Sequence, residues 1–134
     1  KTMRKYFISC TTEGMTDLEQ HKAMQAMQYQ LELHLSSAKV QQVEGFYMGH
    51  KEISFMVTTE SHGALQRLTT LAQRFGQDTI MMVSSYGGAS IVPMNGVDPW
   101  EFLGEFTTTT TKPHGGDYSY NPRANEFYMT AEIN

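Results

Sequence analysis

The stretch KVQQVEGFYMGHKEISFMVTT (39–59) decides the fold. Its second half, 51–59, alternates strictly. Ile53, Phe55 and Val57 fall on one face and Glu52, Ser54, Met56 and Thr58 on the other, which is the period of a strand. The first half, 39–48, carries the β-branched and aromatic residues that strands favour. Val40 and Val43 break its alternation, so a bulge or extra twist is expected near Gln41 and Gln42. Gly49-His50 offers the turn. The stretch is an antiparallel hairpin, and the rest of the chain is read outward from it.

Each side of the hairpin is flanked by a helix. On the N-terminal side, Thr16-Asp17-Leu18-Glu19 has the spacing of a capping box, in which the threonine oxygen and the glutamate carboxylate satisfy free backbone N–H groups. Leu18, Met24, Met27, Leu31 and Leu35 then recur at helical spacing, and the helix is expected to end near Ser36. Before it, RKYFISC (4–10) reads as a strand and TTEG as a loop. On the C-terminal side, Ser61 is the expected cap of a second helix with Ala64, Leu65, Leu68, Leu71, Ala72 and Phe75 on its apolar face. Gly76 supplies the stop. DTIMMVS (78–84) follows as an uninterrupted apolar run, suited to a central strand, and ASIVPM (89–94) as a further strand after a Gly87-Gly88 turn. The order β-α-β-β-α-β predicts an α+β, ferredoxin-like antiparallel sheet with both helices on one face. Nothing in this order covers the other face, so burial against another subunit is expected. A C-terminal β extension begins at about residue 99. WEFLGEF (100–106) reads as an edge strand, KPHGGDYSYNPR (112–123) as a long loop after a run of five threonines, and FYMTAEI (127–133) as a last strand.

The chain has 134 residues, which fits one domain, 1–134, able to bury a core without staples. Its net charge of −4 and pI near 5.7 argue against a nucleic-acid partner, which needs a basic face. They are compatible with a cationic small ligand. Ten methionines are explained by packing. The one cysteine, Cys10, allows no internal disulfide and reads as a buried structural thiol. No apolar run is long enough to span a membrane and no signal-peptide pattern opens the chain, so a cytoplasmic protein with no membrane partner is expected. The first residue is Lys1, consistent with removal of an initiator methionine by processing or trimming.

Few motifs carry chemistry. His21, His34, His50, His62 and His114 show no HxxxH or HxH spacing and there is no CxxC, so neither a metal nor another cofactor is expected. SSYGGAS (84–90) lacks the lysine and helix of a phosphate loop and reads as a turn. No GxSxG is present. Tyr47 and Glu52, on either side of the hairpin tip, leave two readings open. One is a strand-end phenol and a solvated carboxylate. The other is a polar site that grips a cationic ligand, since Glu52 shares a face with Ser54 and Met56 and a buried carboxylate needs a partner.

The segments VEGFY, KEISFMV, ALQRLTTLAQRFGQD and IMMV, followed by ASIV, NGVD and GEF, carry a resemblance. Over residues 40–106 the chain resembles the phage-encoded S-adenosylmethionine (SAM) lyases, formerly called SAM hydrolases. The tail beyond Phe106 departs from that pattern. The resemblance implies a fold similar to the trimeric PII proteins, with sites between the subunits of a homotrimer. It implies cleavage of SAM to 5′-methylthioadenosine and L-homoserine lactone, lowering host SAM and countering SAM-dependent restriction and methylation. It places Tyr47 and Glu52 at the methionyl moiety as catalytic residues. Gln77, Asp78, Ser84 and Ser85 become candidates for adenine contacts, with Phe46 or Phe102 stacking on the base. The alternatives are a hydrolase yielding homoserine, a non-catalytic PII-like trimer binding an adenosine ligand, and a structural interaction protein.

Overall fold

The computed structural model describes residues 3–131. The decisive hairpin forms from β2 (Lys39–Tyr47) and β3 (His50–Thr59). Its register runs unbroken from Lys39 opposite Thr58 to Tyr47 opposite His50, so the bulge expected near Gln41 and Gln42 is absent. Val40 and Val43 break alternation for another reason. Both faces of β2 are covered: Val40 packs against the helix-side core and Val43 against the opposite one. The turn lies at Met48-Gly49, one residue earlier than expected, with φ of 51° and 82°. Two positive φ values are what a type I′ hairpin turn requires.

Helix α1 (Asp17–His34) opens on the capping box, Glu19 N–H donating to Thr16 Oγ1 at 3.1 Å and Thr16 N–H to Glu19 Oε1 at 3.0 Å. It ends two residues before Ser36. Met27, Leu31 and Leu35 are buried, whereas Leu18 stays exposed. Helix α2 (Ala64–Arg74) is capped by Gly63 and not by Ser61, whose carbonyl instead accepts from Ala64 N–H. Gly76, at φ 70°, ends it.

Beyond these elements the expected architecture is overturned. β1 (Arg4–Ser9), β4 (Thr79–Val83), β5 (Gly88–Pro93), β6 (Glu101–Thr109), β7 (Tyr118–Asn121) and β8 (Glu126–Ala131) join the hairpin in one closed antiparallel barrel. Its order is β1-β3-β2-β7-β8-β6-β5-β4, with β4 pairing back onto β1. This is an eight-stranded barrel with two helices packed outside, not a ferredoxin-like α+β sheet, and it is not built like a PII subunit. The segment read as an extension causes the difference. β6 is no edge strand but lies between β5 and β8. β7, inside the stretch read as a loop, pairs with β2. Residues 132–133 of the expected last strand lie outside the described residues.

The chain's own C-terminal strands therefore cover the sheet face expected to need a subunit partner. Curvature comes partly from a bulge in β6. Phe102 pairs with Ser90 and Gly104 with Ala89, so Leu103 has no opposite residue. Two cores result. Tyr6, Ile8, Phe55 and Val57 pack outward against Met27, Leu31 and Leu68 of the helices. Phe7, Val43, Met56, Val83, Ala89 and Tyr128 fill the barrel interior, with Phe7 and Tyr128 ring centroids 6.0 Å apart. A barrel of eight strands is wide enough for side chains alone or for one small ligand. Here the apolar plug fills only part of the interior. No described helix is long and apolar enough to cross a membrane.

Candidate active site

Strand alternation carries the interior face from the apolar plug to a polar region. On β1, Phe7 is followed by Ser9. On β3, Met56 is followed toward the hairpin tip by Ser54 and Glu52, and Ser9 stands opposite Ser54. On β2, Gly45 stands between Glu52 of β3 and Ser119 of β7. Tyr47, two residues on, folds its ring back across Gly45, where a β-carbon would overlap the ring. The Tyr47 hydroxyl thereby reaches Ser119 Oγ at 2.6 Å. Gly-x-Tyr is thus a packing motif: the missing side chain of Gly45 makes room for the phenol.

These side chains line a cavity of about 750 Å³, within the range of small-molecule sites. Phe7, Met81, Leu103 and Tyr128 supply apolar wall. The charges in its lining are one-sided. Glu13, Glu52, Asp78, Glu101 and Asp117 contribute carboxylates, and among the described residues no lysine, arginine or histidine lines it. Such a cavity favours a cation.

Burial pushes the Glu52 carboxyl above its ordinary value, offset in part by the Ser9 side chain. Ser9 Oγ also donates to the Ile53 carbonyl at 3.2 Å. Among the described residues Glu52 has no basic partner; the neighbouring cation, Lys51, pairs with Glu44 at 2.7 Å, and neither lines the cavity. Burial also raises the Tyr47 phenol. Its bond to Ser119 pulls the other way, and the negative charges of Glu52 and Asp117 add to the rise. Tyr47 is therefore a neutral hydrogen-bonding group at any physiological pH. Asp117 also serves the hairpin, because its Oδ1 accepts from Met48 N–H at 3.0 Å and ties the tip to the start of β7. Cys10 is fully buried, and desolvation raises its thiol to about 11, which leaves it protonated and unreactive.

Of the residues singled out from the sequence, Tyr47, Glu52, Gln77 and Asp78 meet on this one cavity. The Gln77 amide nitrogen is engaged with the backbone carbonyls of Thr11 (2.9 Å) and Phe75 (3.3 Å), fixing the loop after β1 against the end of α2. Asp78 is exposed at the rim. The others lie elsewhere. Phe46 points out of the barrel and stacks on Tyr118 at 4.8 Å. Phe102 is on the outer face, 61 % exposed. Ser84 and Ser85 follow β4 at the end opposite Asp78, and Ser84 Oγ accepts turn N–H groups of Tyr86 and Gly88. Sequence reasoning did not find Ser9, Ser119, Glu101 or Asp117. One signal for Ser119 existed: Tyr118-Ser119-Tyr120 alternates like a strand, but Gly115-Gly116 and Asn121-Pro122 around it read as loop.

Compared with known protein families, residues 6–131 match the model of the S-Adenosylmethionine lyase family. No curated protein matches the chain.

Proposed function

We propose, from the premise that the chain belongs to the S-adenosylmethionine lyase family, that it cleaves SAM to 5′-methylthioadenosine and L-homoserine lactone in the cavity between Tyr47 and Glu52. Family membership carries SAM as the substrate. The observation that supports the site is the half-buried Glu52, without a basic partner among the described residues, in a cavity whose described lining holds carboxylates and no base.

The reaction needs little acid–base help. The substrate carboxylate attacks its own γ-carbon, closing a five-membered lactone. The bond from that carbon to sulfur breaks, and its electron pair leaves on the now neutral thioether. No proton moves. What the protein must do is fold the methionyl chain so that carboxylate and γ-carbon meet, a proximity effect that can be large. Glu52 holds the substrate ammonium and so keeps the carboxylate free to attack. The Tyr47 ring shapes the wall beside the sulfonium, with a cation–π contribution. Opposite charges cancel along this path, and the apolar walls of Phe7, Leu103 and Tyr128 favour that loss of charge over its persistence in water.

A second reading has one observation in its favour. A carboxyl raised by burial is a better base, and Glu52 could activate water to give homoserine. The bound substrate reverses this advantage. An ammonium beside Glu52 lowers its pKa again, which makes it a holder and a poor base in the complex. In a cell either reaction drains SAM, and with it methylation and SAM-dependent restriction. Chromatography with mass spectrometry of early time points tests the proposal. Homoserine lactone appearing before homoserine is the expected result. Homoserine from the first point identifies hydrolysis, and unchanged SAM overturns both.

A further inference from the structure

We infer that Ser119 is a positioning residue of this site, acting through Tyr47: it holds the phenol across Gly45 in the orientation that the substrate meets. Three observations carry this. Ser119 is 2 % exposed, yet its hydroxyl is directed at the site residue and not at its own backbone. Its bond to Tyr47 is short, 2.6 Å, and links side chains 72 residues apart in sequence, so no local turn explains it. The row Glu52–Gly45–Ser119 crosses three adjacent strands, and the Tyr47 ring fills the gap left by the glycine.

Among the described residues the Tyr47 hydroxyl makes no other hydrogen bond that would fix the ring. Gly45 offers no side chain for it to pack on, and a tyrosine at a strand end beside the exposed Met48 has rotamers leading to solvent. With the bond, the phenol hydroxyl is engaged by Ser119 while Tyr47 lines the cavity. The strand hardest to recognise, β7, thus has a second role. It closes the barrel, and it delivers the hydroxyl that sets the hairpin's phenol.

The inference rests on the SAM-lyase reading of Tyr47, and a double-mutant cycle separates the two. Ser119→Ala, Tyr47→Phe and the double variant are compared with the parent for kcat, for SAM affinity by calorimetry, and for Tm. Tyr47→Phe keeps the ring and loses the hydroxyl. If Ser119 acts through that hydroxyl, Ser119→Ala costs kcat up to about 100-fold, the scale of a misplaced group. The double variant then falls within about twofold of Tyr47→Phe alone, and Ser119→Thr, which retains the hydroxyl, restores most of the loss. Additive losses, or a Ser119→Ala enzyme as active as the parent, overturn the inference and leave the lyase reading standing. If the parent does not turn over SAM, the lyase reading fails. The same cycle is then read on SAM affinity, where coupling supports the positioning role and additivity or no effect removes it.

Discussion

Gly45 and Glu52 face one another across the β2–β3 ladder, and the Tyr47 ring lies over Gly45. The carboxylate and the phenol are therefore adjacent because of a side chain that is missing between them. A strand glycine normally weakens a sheet, and here it marks a close approach. Gly45→Ala is expected to force the ring away from Ser119. Overpacking of this kind costs about 1–3 kcal/mol. SAM turnover should fall much further than that loss of stability explains. Thermal melts and kinetics on the same preparation check this. A folded Gly45→Ala enzyme with full activity would show that the ring's position is unimportant.

Glu52 carries the next expectation. Its folded-state pKa is raised by burial, so the folded chain binds the proton more tightly than the unfolded chain. The stabilising contribution is complete below the ordinary glutamate range and is lost as pH rises through the folded value. Glu52→Gln should therefore be more stable than the parent at neutral pH, with the advantage disappearing in acid. Its turnover should drop by orders of magnitude. A Glu52→Gln protein that is active, or that melts earlier at neutral pH, contradicts the assignment.

The same carboxyl predicts the pH profile. Only ionised Glu52 holds an ammonium, so kcat/KM should fall on the acid side with a midpoint above the usual glutamate range. The midpoint for kcat should lie lower, because the bound ammonium favours the ionised form. Equal midpoints for kcat and kcat/KM would mean that no ammonium sits beside Glu52 in the complex.

Barrel closure makes a prediction that an open sheet with a removable tail would not. Phe7, Val43, Met56 and Val83 lean on Tyr128, Leu103 and Phe106 from the C-terminal third. A chain ending at residue 98 should lose its cooperative melting transition. A truncated chain that melts cooperatively would mean that the first five strands and two helices suffice.

How much of this is legible in the sequence follows from where each signal resides. The hairpin and both helices are written in local periodicity, and simple alternation puts Glu52 on the face away from the helices. The barrel is not legible because its closing strands are poor local strands. β7 is four residues long between Gly115-Gly116 and Pro122, and β6 is interrupted by the bulge at Leu103. The pairing of β7 with β2 is specified across more than seventy residues, as between Gly45 and Ser119, and a window of about ten cannot see it. Tyr47 and Glu52 stand out at the hairpin tip. Ser9 and Ser119 do not, because each matters only through the strand beside it. Phe46 reads as a ligand contact because it is an aromatic near the site, but the one-residue step from Tyr47 along the strand turns it to the outer face.

The cavity's charge sets the last expectation, which concerns selectivity. Glu13, Glu52, Asp78, Glu101 and Asp117 line it, and no described lining residue is basic. A ligand with a positive centre in the place of the SAM sulfonium gains attraction from all of them. S-adenosylhomocysteine, whose sulfur is a neutral thioether, loses that attraction while keeping the adenosine and the amino acid. An adenosyl analogue with a protonated amine in place of the sulfonium keeps it and cannot react. The amine analogue should therefore inhibit at concentrations at least about tenfold lower than the thioether, a gap of about 1.4 kcal/mol. Added salt should narrow the gap through screening of the rim carboxylates, and Asp117→Asn should narrow it further. The same logic applies to the neutral methylthioadenosine product, which should bind as weakly as the thioether and leave without inhibiting. Equal inhibition by the two analogues at low ionic strength would mean that shape, and not charge, selects the ligand.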